Sequence, residues 1–118
     1  MIDLRQKELS DWADLNFGDL RADTMECIVG MIEELGELAH VVLKRKQRIR
    51  EAADGGDFKL EIGDAFADVV IFGIQAMTCE GIDAEAVIKK TINTVLQRDF
   101  KNNPAGIGYS QHKVIKDD

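Results

Sequence analysis

Residues 31–40 read MIEELGELAH and place Glu33, Glu34 and Glu37 within two turns of a helix. A second acidic group follows in EIGDAFAD at 61–68, where Glu61, Asp64 and Asp68 stand at offsets of three and four. That spacing puts them on one helical face. Carboxylates so placed repel one another, and the usual remedy is a base four residues further on. Here the residues four beyond the six acids are Glu37, Leu38, Val41, Ala65, Asp68 and Phe72, none of them basic. No lysine or arginine occurs between Arg21 and Lys44, nor between Lys59 and Lys89. Burying such charges without partners costs on the order of several kcal/mol per ion. A cation from solution removes that cost. Oxygen donors suit hard divalent ions, and Mg²⁺ takes one or two carboxylates together with waters and substrate phosphates. Mn²⁺ is a reasonable substitute, whereas Zn²⁺ and copper prefer other donors. The acids therefore point to a site for a hard divalent cation such as Mg²⁺.

The elements that carry these acids read as helices throughout, since β-branched alternation is absent and the chain holds a single proline, Pro104. A first helix fits residues 2–16 and ends near Gly18, which supplies the positive φ that a helix C-terminus favours. A second runs from the cap Asp23, with Glu26 in capping-box spacing, to about Arg50. It places Ile28, Met31, Ile32, Leu35, Leu38, Ala39 and Val42 at core spacing. Lys44, Arg45, Lys46, Arg48 and Arg50 suit its C-terminal dipole. ADGGD at 53–57 reads as a loop. A third helix fits 58–80 and is apolar nearly all round, as a helix in the centre of an assembly would be. Gly81 ends it, Asp83 caps a fourth over 83–99, and the remainder reads as a tail or arm. The expected organisation is a helical domain over 1–104 and a C-terminal segment over 105–118. Four helices with short connections give an all-α, antiparallel four-helix bundle. Covering the extra apolar face of the third helix calls for a homodimer or homotetramer.

The chain has 118 residues and a formal net charge of −7, from 22 acids against 15 bases. One domain is expected from that length. The acidic balance argues against nucleic acid or an anionic membrane as partner. The N-terminal segment MIDLRQKELS has no apolar core of a targeting signal, and no apolar run is read as long enough to span a membrane. Cys27 and Cys79 fall far apart in the sequence, form no CxxC pattern and read as small buried hydrophobes in a reducing cytoplasm, with no disulfide framework expected.

EELGE at 33–37 followed by EIGD at 61–64, with a Gly/Asp-rich connection between, resembles the all-α nucleoside triphosphate pyrophosphohydrolases of the MazG-like superfamily. The resemblance covers roughly residues 25–104 and includes EELGELAHVVLK, DAFADVVIF, GIDAEAVIKKT and QRDFKNNP. It implies Mg²⁺-dependent hydrolysis of a nucleoside triphosphate to the monophosphate and pyrophosphate, in the service of nucleotide-pool sanitation. It further implies Glu34, Glu37, Asp64 and either Glu61 or Asp68 as metal ligands, with Glu33 as the base for the attacking water. In one respect the chain departs from the pattern. Aligned on the downstream VVIF and GID, the usual aspartate falls on Asp68 and the glutamate three before it becomes Ala65, so that Asp64 supplies the second carboxylate; aligned on EIGD the pair is Glu61 and Asp64. Lys44, Lys90, Arg98 and Lys101 are candidates for phosphate contacts, and Trp12, Phe17 and Phe72 for stacking on a base.

Three other readings compete. A phosphoribosyl-ATP pyrophosphohydrolase would share the bundle and the chemistry. A carboxylate-bridged di-iron bundle would use ELAH, Glu37 to His40, but needs a second Glu-x-x-His, and the one other histidine is His112 in the tail. A non-catalytic partner-binding module would leave the acids to a basic partner and be indifferent to Mg²⁺.

Overall fold

A computed structural model describes residues 3–48 and 58–105. Among these there are four α-helices and no strand: α1 Gln6–Phe17, α2 Thr24–Gln47, α3 Phe58–Cys79 and α4 Ala84–Leu96, with a short 3-10 turn at Gly18–Leu20. The all-α reading holds. The expected ADGGD loop, Arg50 and the tail from 106 onward, with His112, lie outside the described residues.

Local chemistry places the helix ends. Gly18 has φ +52° and closes α1; its N–H bonds to the Asp14 carbonyl. The Asp23 carboxylate accepts from the Glu26 N–H at 2.8 Å and starts α2, satisfying one of the donors a helix N-terminus leaves open. Gly81, at φ +70°, follows α3, and Asp83 caps α4 by accepting from the Ala86 N–H at 3.1 Å. α1 begins at Gln6 and α4 ends at Leu96, each shorter than the apolar pattern predicts.

The chain divides into two units, one built from Leu4–Ile82 and the other containing Asp3 and the described residues from Asp83. In the first, α2 and α3 are the principal packing pair and α1 lies against α3. Thr24 at the start of α2 hydrogen-bonds Glu80 just beyond α3. The Gly30 backbone lies under the Phe72 ring, and Met31 touches Gly73. Burial pushes the Glu34 carboxyl above its ordinary value, and the charge of Asp68 raises it further. Gln6 secures α1 by donating to Thr78 Oγ1 at 3.1 Å and to the Ile82 carbonyl at 2.8 Å.

The buried face of α2 differs from the expected one. Cys27, Leu38 and Val41 are buried, whereas Ile28, Ile32, Leu35 and Val42 are 41%, 64%, 55% and 37% exposed and Ala39 is exposed. At about 100° per residue the exposed stripe stands roughly a quarter-turn from the buried one. Apolar periodicity marks both stripes alike and cannot say which one packs inside the chain. On α3 only Ala65 and Ile74 are buried, while Leu60, Phe66, Val70 and Ile71 are exposed, so the chain by itself does not enclose this helix. By length and composition α3 is also long and apolar enough to cross a membrane, which corrects the expectation that no run is. Lys59, Glu61, Asp64 and Asp68 interrupt that run in the sequence, and a core helix of a soluble protein passes the same test.

A methyl group added at Gly30 would lie 2.5–2.7 Å from three atoms of the Phe72 ring. Gly30→Ala gains about 0.5–1 kcal/mol of helix propensity but forces the ring aside at roughly 1–3 kcal/mol. The variant is expected to melt several degrees below the wild type, as thermal unfolding followed by circular dichroism would measure.

The second unit contains α4, in which Ala84 is the buried residue. Asp99 bonds the backbone and side chain of Asn102 at 3.2 and 2.7 Å, forming the turn that follows α4. These contacts to Asn102 hold the Asp99 carboxyl below its ordinary value.

Candidate active site

The acids of α2 are positioned by the helix that Asp23 starts. Glu34 follows Cys27 by two turns, so it lies toward α3 and is half-buried. Its carboxyl is raised above the ordinary value by burial first, then by the charges of Asp68, Glu33 and Glu37. Three of the expected acids thus surround a fourth, and the charge that crosses between helices comes from Asp68. Asp64 and Glu61 stand about one and two turns before Asp68 on α3. Among the described residues, no lysine or arginine forms an ion pair with Glu33, Glu34, Glu37, Asp64 or Asp68. The ion pairs of the first unit, Arg5–Glu8, Lys7–Asp11 and Arg21–Asp14, lie on and beside α1.

Asp68 also lines a cavity of about 540 Å³ enclosed by α1, the 3-10 turn, α2 and α3. Trp12, Phe17, Leu20, Ile71 and Phe72 supply its apolar wall. Trp12 and Phe17 meet edge to face, with ring centroids 5.6 Å apart. Glu26, Arg21, Gln75, Cys27 and Cys79 contribute its polar atoms. Arg21 is already committed: its guanidinium donates to Asp14 at 2.7 Å and to Ser10 at 3.1 Å. Gln75 donates to the Leu9 carbonyl at 3.3 Å, and its buried Oε1 has no donor among the described residues. An aromatic, mostly apolar cavity with a few polar groups is the ordinary form of a small-molecule site.

All three aromatic side chains that the sequence suggests for stacking therefore border one cavity, and Asp68 borders it too. The cationic candidates are distributed differently. Lys44 is half-buried near the end of α2, whereas Lys90, Arg98 and Lys101 belong to the second unit; Arg98 is half-buried there, with its Nε lacking an acceptor among the described residues. His40 is exposed on α2. Glu26, Gln75 and the two cysteines escape a reading by motif. The available signal is position: Cys27 shares a helical face with Glu34, and Gln75 follows Asp68 by two turns.

Among the described residues no group of three or more histidine, cysteine, aspartate or glutamate side chains is set to hold a metal ion. The donor chemistry nonetheless fits a hard cation. Glu34 and Asp68 present carboxylates from facing helices, like charge raises one of them, and no base among the described residues forms an ion pair with either. An ion that binds through one or two carboxylates, with waters and phosphates completing its shell, needs no larger preformed cage.

Acids on facing helices beside a cavity with an aromatic wall form a candidate small-molecule site. Residues 23–101 match the model of the MazG nucleotide pyrophosphohydrolase domain. That is about two-thirds of the chain, and the protein belongs to this family. At the family level it is a hydrolase acting on nucleotides, in a family whose enzymes are typically divalent-metal dependent. No curated protein and no solved structure matches the chain.

Proposed function

We propose that the protein hydrolyses a nucleoside or deoxynucleoside triphosphate to the monophosphate and pyrophosphate with Mg²⁺, as a cytoplasmic enzyme of nucleotide-pool sanitation. The observation that carries this reading is that Asp68, whose charge raises the Glu34 carboxyl, also lines a cavity walled by Trp12, Phe17 and Phe72. Anionic phosphates and an apolar base need those two environments side by side.

Glu34, Glu37, Asp64, Asp68 and Glu61 are the oxygen donors proposed to hold the metal, with Glu34 and Asp68 central. When bound, Mg²⁺ neutralises phosphate charge and polarises the phosphorus under attack. The chain's own residues do the rest. Glu33 stands about 100° around α2 from Glu34 and accepts the proton of the attacking water. Trp12 takes the base against its ring, and the cavity wall excludes water from that face. Lys44 adds positive charge near the end of α2. Contacts from Lys90, Arg98 and Lys101 to the phosphates form a separate part of the proposal, tested by alanine replacement and the resulting rise in KM. The working assembly is a homodimer or homotetramer of antiparallel four-helix units.

A panel of canonical and damaged deoxynucleoside triphosphates, assayed with Mg²⁺, tests the reaction. Pyrophosphate is expected in step with monophosphate; orthophosphate as the sole inorganic product would replace this reading with another. Trp12 is the one tryptophan of the chain, so its emission reports cavity occupancy without turnover. Nucleotide binding is expected to quench it, and Trp12→Phe should raise KM more than it lowers kcat. Mg²⁺ should also stabilise the fold by about 2.7 kcal/mol when present at 100 times its Kd. A thermal-shift titration measures that gain, which the partner-binding reading does not predict.

A further inference from the structure

Cys27 and Cys79 take no part in the proposed hydrolysis, yet facing helices bring them together. Cys27 lies in the first turn of α2, and Cys79 is the last residue of α3. Neither is in a disulfide. Both line the same cavity, and Cys79 lies near enough to raise the Cys27 thiol. The Cys79 thiol also donates to the Ala22 carbonyl at 3.4 Å, in the segment that enters α2. With Thr24 bonded to Glu80 alongside, the end of α3 is tied to the start of α2 at the level of the two sulfurs. Their accessibilities differ: Cys79 is exposed, whereas Cys27 is 2% exposed. Burial, and then the neighbouring Cys79, push the Cys27 thiol up. Cys27 therefore keeps its proton and stays inert toward solvent until an activated sulfur is presented to it.

We propose that Cys27 and Cys79 form a reversible dithiol–disulfide site that a small-molecule disulfide closes, locking α2 to α3 on the wall of the cavity. The exchange balances in two steps. The Cys79 thiolate attacks one sulfur of the small disulfide, forms a mixed disulfide and releases one small thiol. Cys27, giving up its proton, then attacks the Cys79 sulfur and releases the second small thiol. Two protein thiols are oxidised and one small disulfide is reduced to two thiols. A reducing thiol reverses both steps. Exposed Cys79 thus acts first, and buried Cys27 resolves the mixed disulfide. The bond itself does not depend on the nucleotide reading, so its test stands or falls separately from pyrophosphate release.

The test is to incubate the reduced full chain with oxidised glutathione and follow intact mass, free thiols and melting. Wild type is expected to lose about 2 Da, for two hydrogens, and both titratable thiols, with dithiothreitol restoring them. Its melting temperature should rise by on the order of 10 °C, since the bond closes a long loop. Cys27→Ala should stop at a single glutathione adduct on Cys79, and Cys79→Ser should remain unmodified. Trp12 emission should change as the bond closes in wild type and stay constant in Cys79→Ser. An unchanged mass, adducts on both cysteines, or a disulfide between two chains would overturn the proposal. So would a closed bond that leaves melting and Trp12 emission unmoved. The mass and thiol readings on wild type need no variant to fold.

Discussion

Glu34→Gln is expected to lower pyrophosphate release by roughly 10³-fold or more and, in metal-free buffer, to make the protein more stable. Both effects follow from one position. Glu34 is the acid whose carboxyl is raised by partial burial and by Asp68, Glu33 and Glu37 together. Glutamine keeps its shape and removes the charge that a cation would need. Without a cation that same charge is a liability, because it faces three others. The pH dependence has a definite sign. A carboxyl raised in the fold binds its proton more tightly there than in the unfolded chain, so the folded state holds more protons as pH climbs from the ordinary 4.5 toward the raised value. Stability from this group falls across that window and stays low above it. Metal-free wild type should therefore melt at progressively lower temperature through that range, and Glu34→Gln should show a shallower decline. Mg²⁺ should restore the wild type at neutral pH and do little for the variant. Melting curves across pH, with and without Mg²⁺, measure all of this. A variant that retained turnover would remove Glu34 from the site.

What could be read in advance depended on how local the physics was. Asp23, Gly18, Gly81 and Asp83 act within one turn of their own position, and their roles as caps and stops were legible from residue type and spacing. The family was legible too, because EELGE and the acids of α3 keep their order and distance whatever the packing. Packing itself was not. Ile28, Ile32 and Leu35 have the same period as Cys27, Leu38 and Val41, and a hydrophobic pattern records that a face is apolar without naming what covers it. Among the acids, two alignments left the choice between Glu61 and Asp68 open; of these two, Asp68 is the one whose charge raises Glu34, alongside Glu33 and Glu37 on its own helix. The cavity was hidden for a related reason. Trp12, Glu26, Phe72 and Gln75 come from three helices, and only the crossing of those helices makes them neighbours.

The exposed stripe on α2 yields the other large effect. Ile28, Ile32, Leu35 and Val42 recur at helical spacing, and all are more than a third open to solvent. Phe66 and Val70 on α3 are likewise 56% and 50% exposed. Isolated exposed apolar residues are ordinary, but a continuous stripe on the central packing pair calls for a partner. A second copy of the chain meets the requirement with the same surface on both sides, as a two-fold interface demands. Replacing Ile32 and Leu35 together by aspartate puts two charges on each copy into that contact. In a fold whose protomers lean on one another, losing the contact also removes most of the stability. The double variant is expected to sediment as a monomer, to melt far below the wild type, and to lose turnover even though Glu34 and Asp68 are untouched. The same substitutions at exposed Lys7 and Asn16 of α1 should leave sedimentation unchanged. If the double variant kept the wild-type sedimentation coefficient and melting temperature, α2 would not carry the contact between copies.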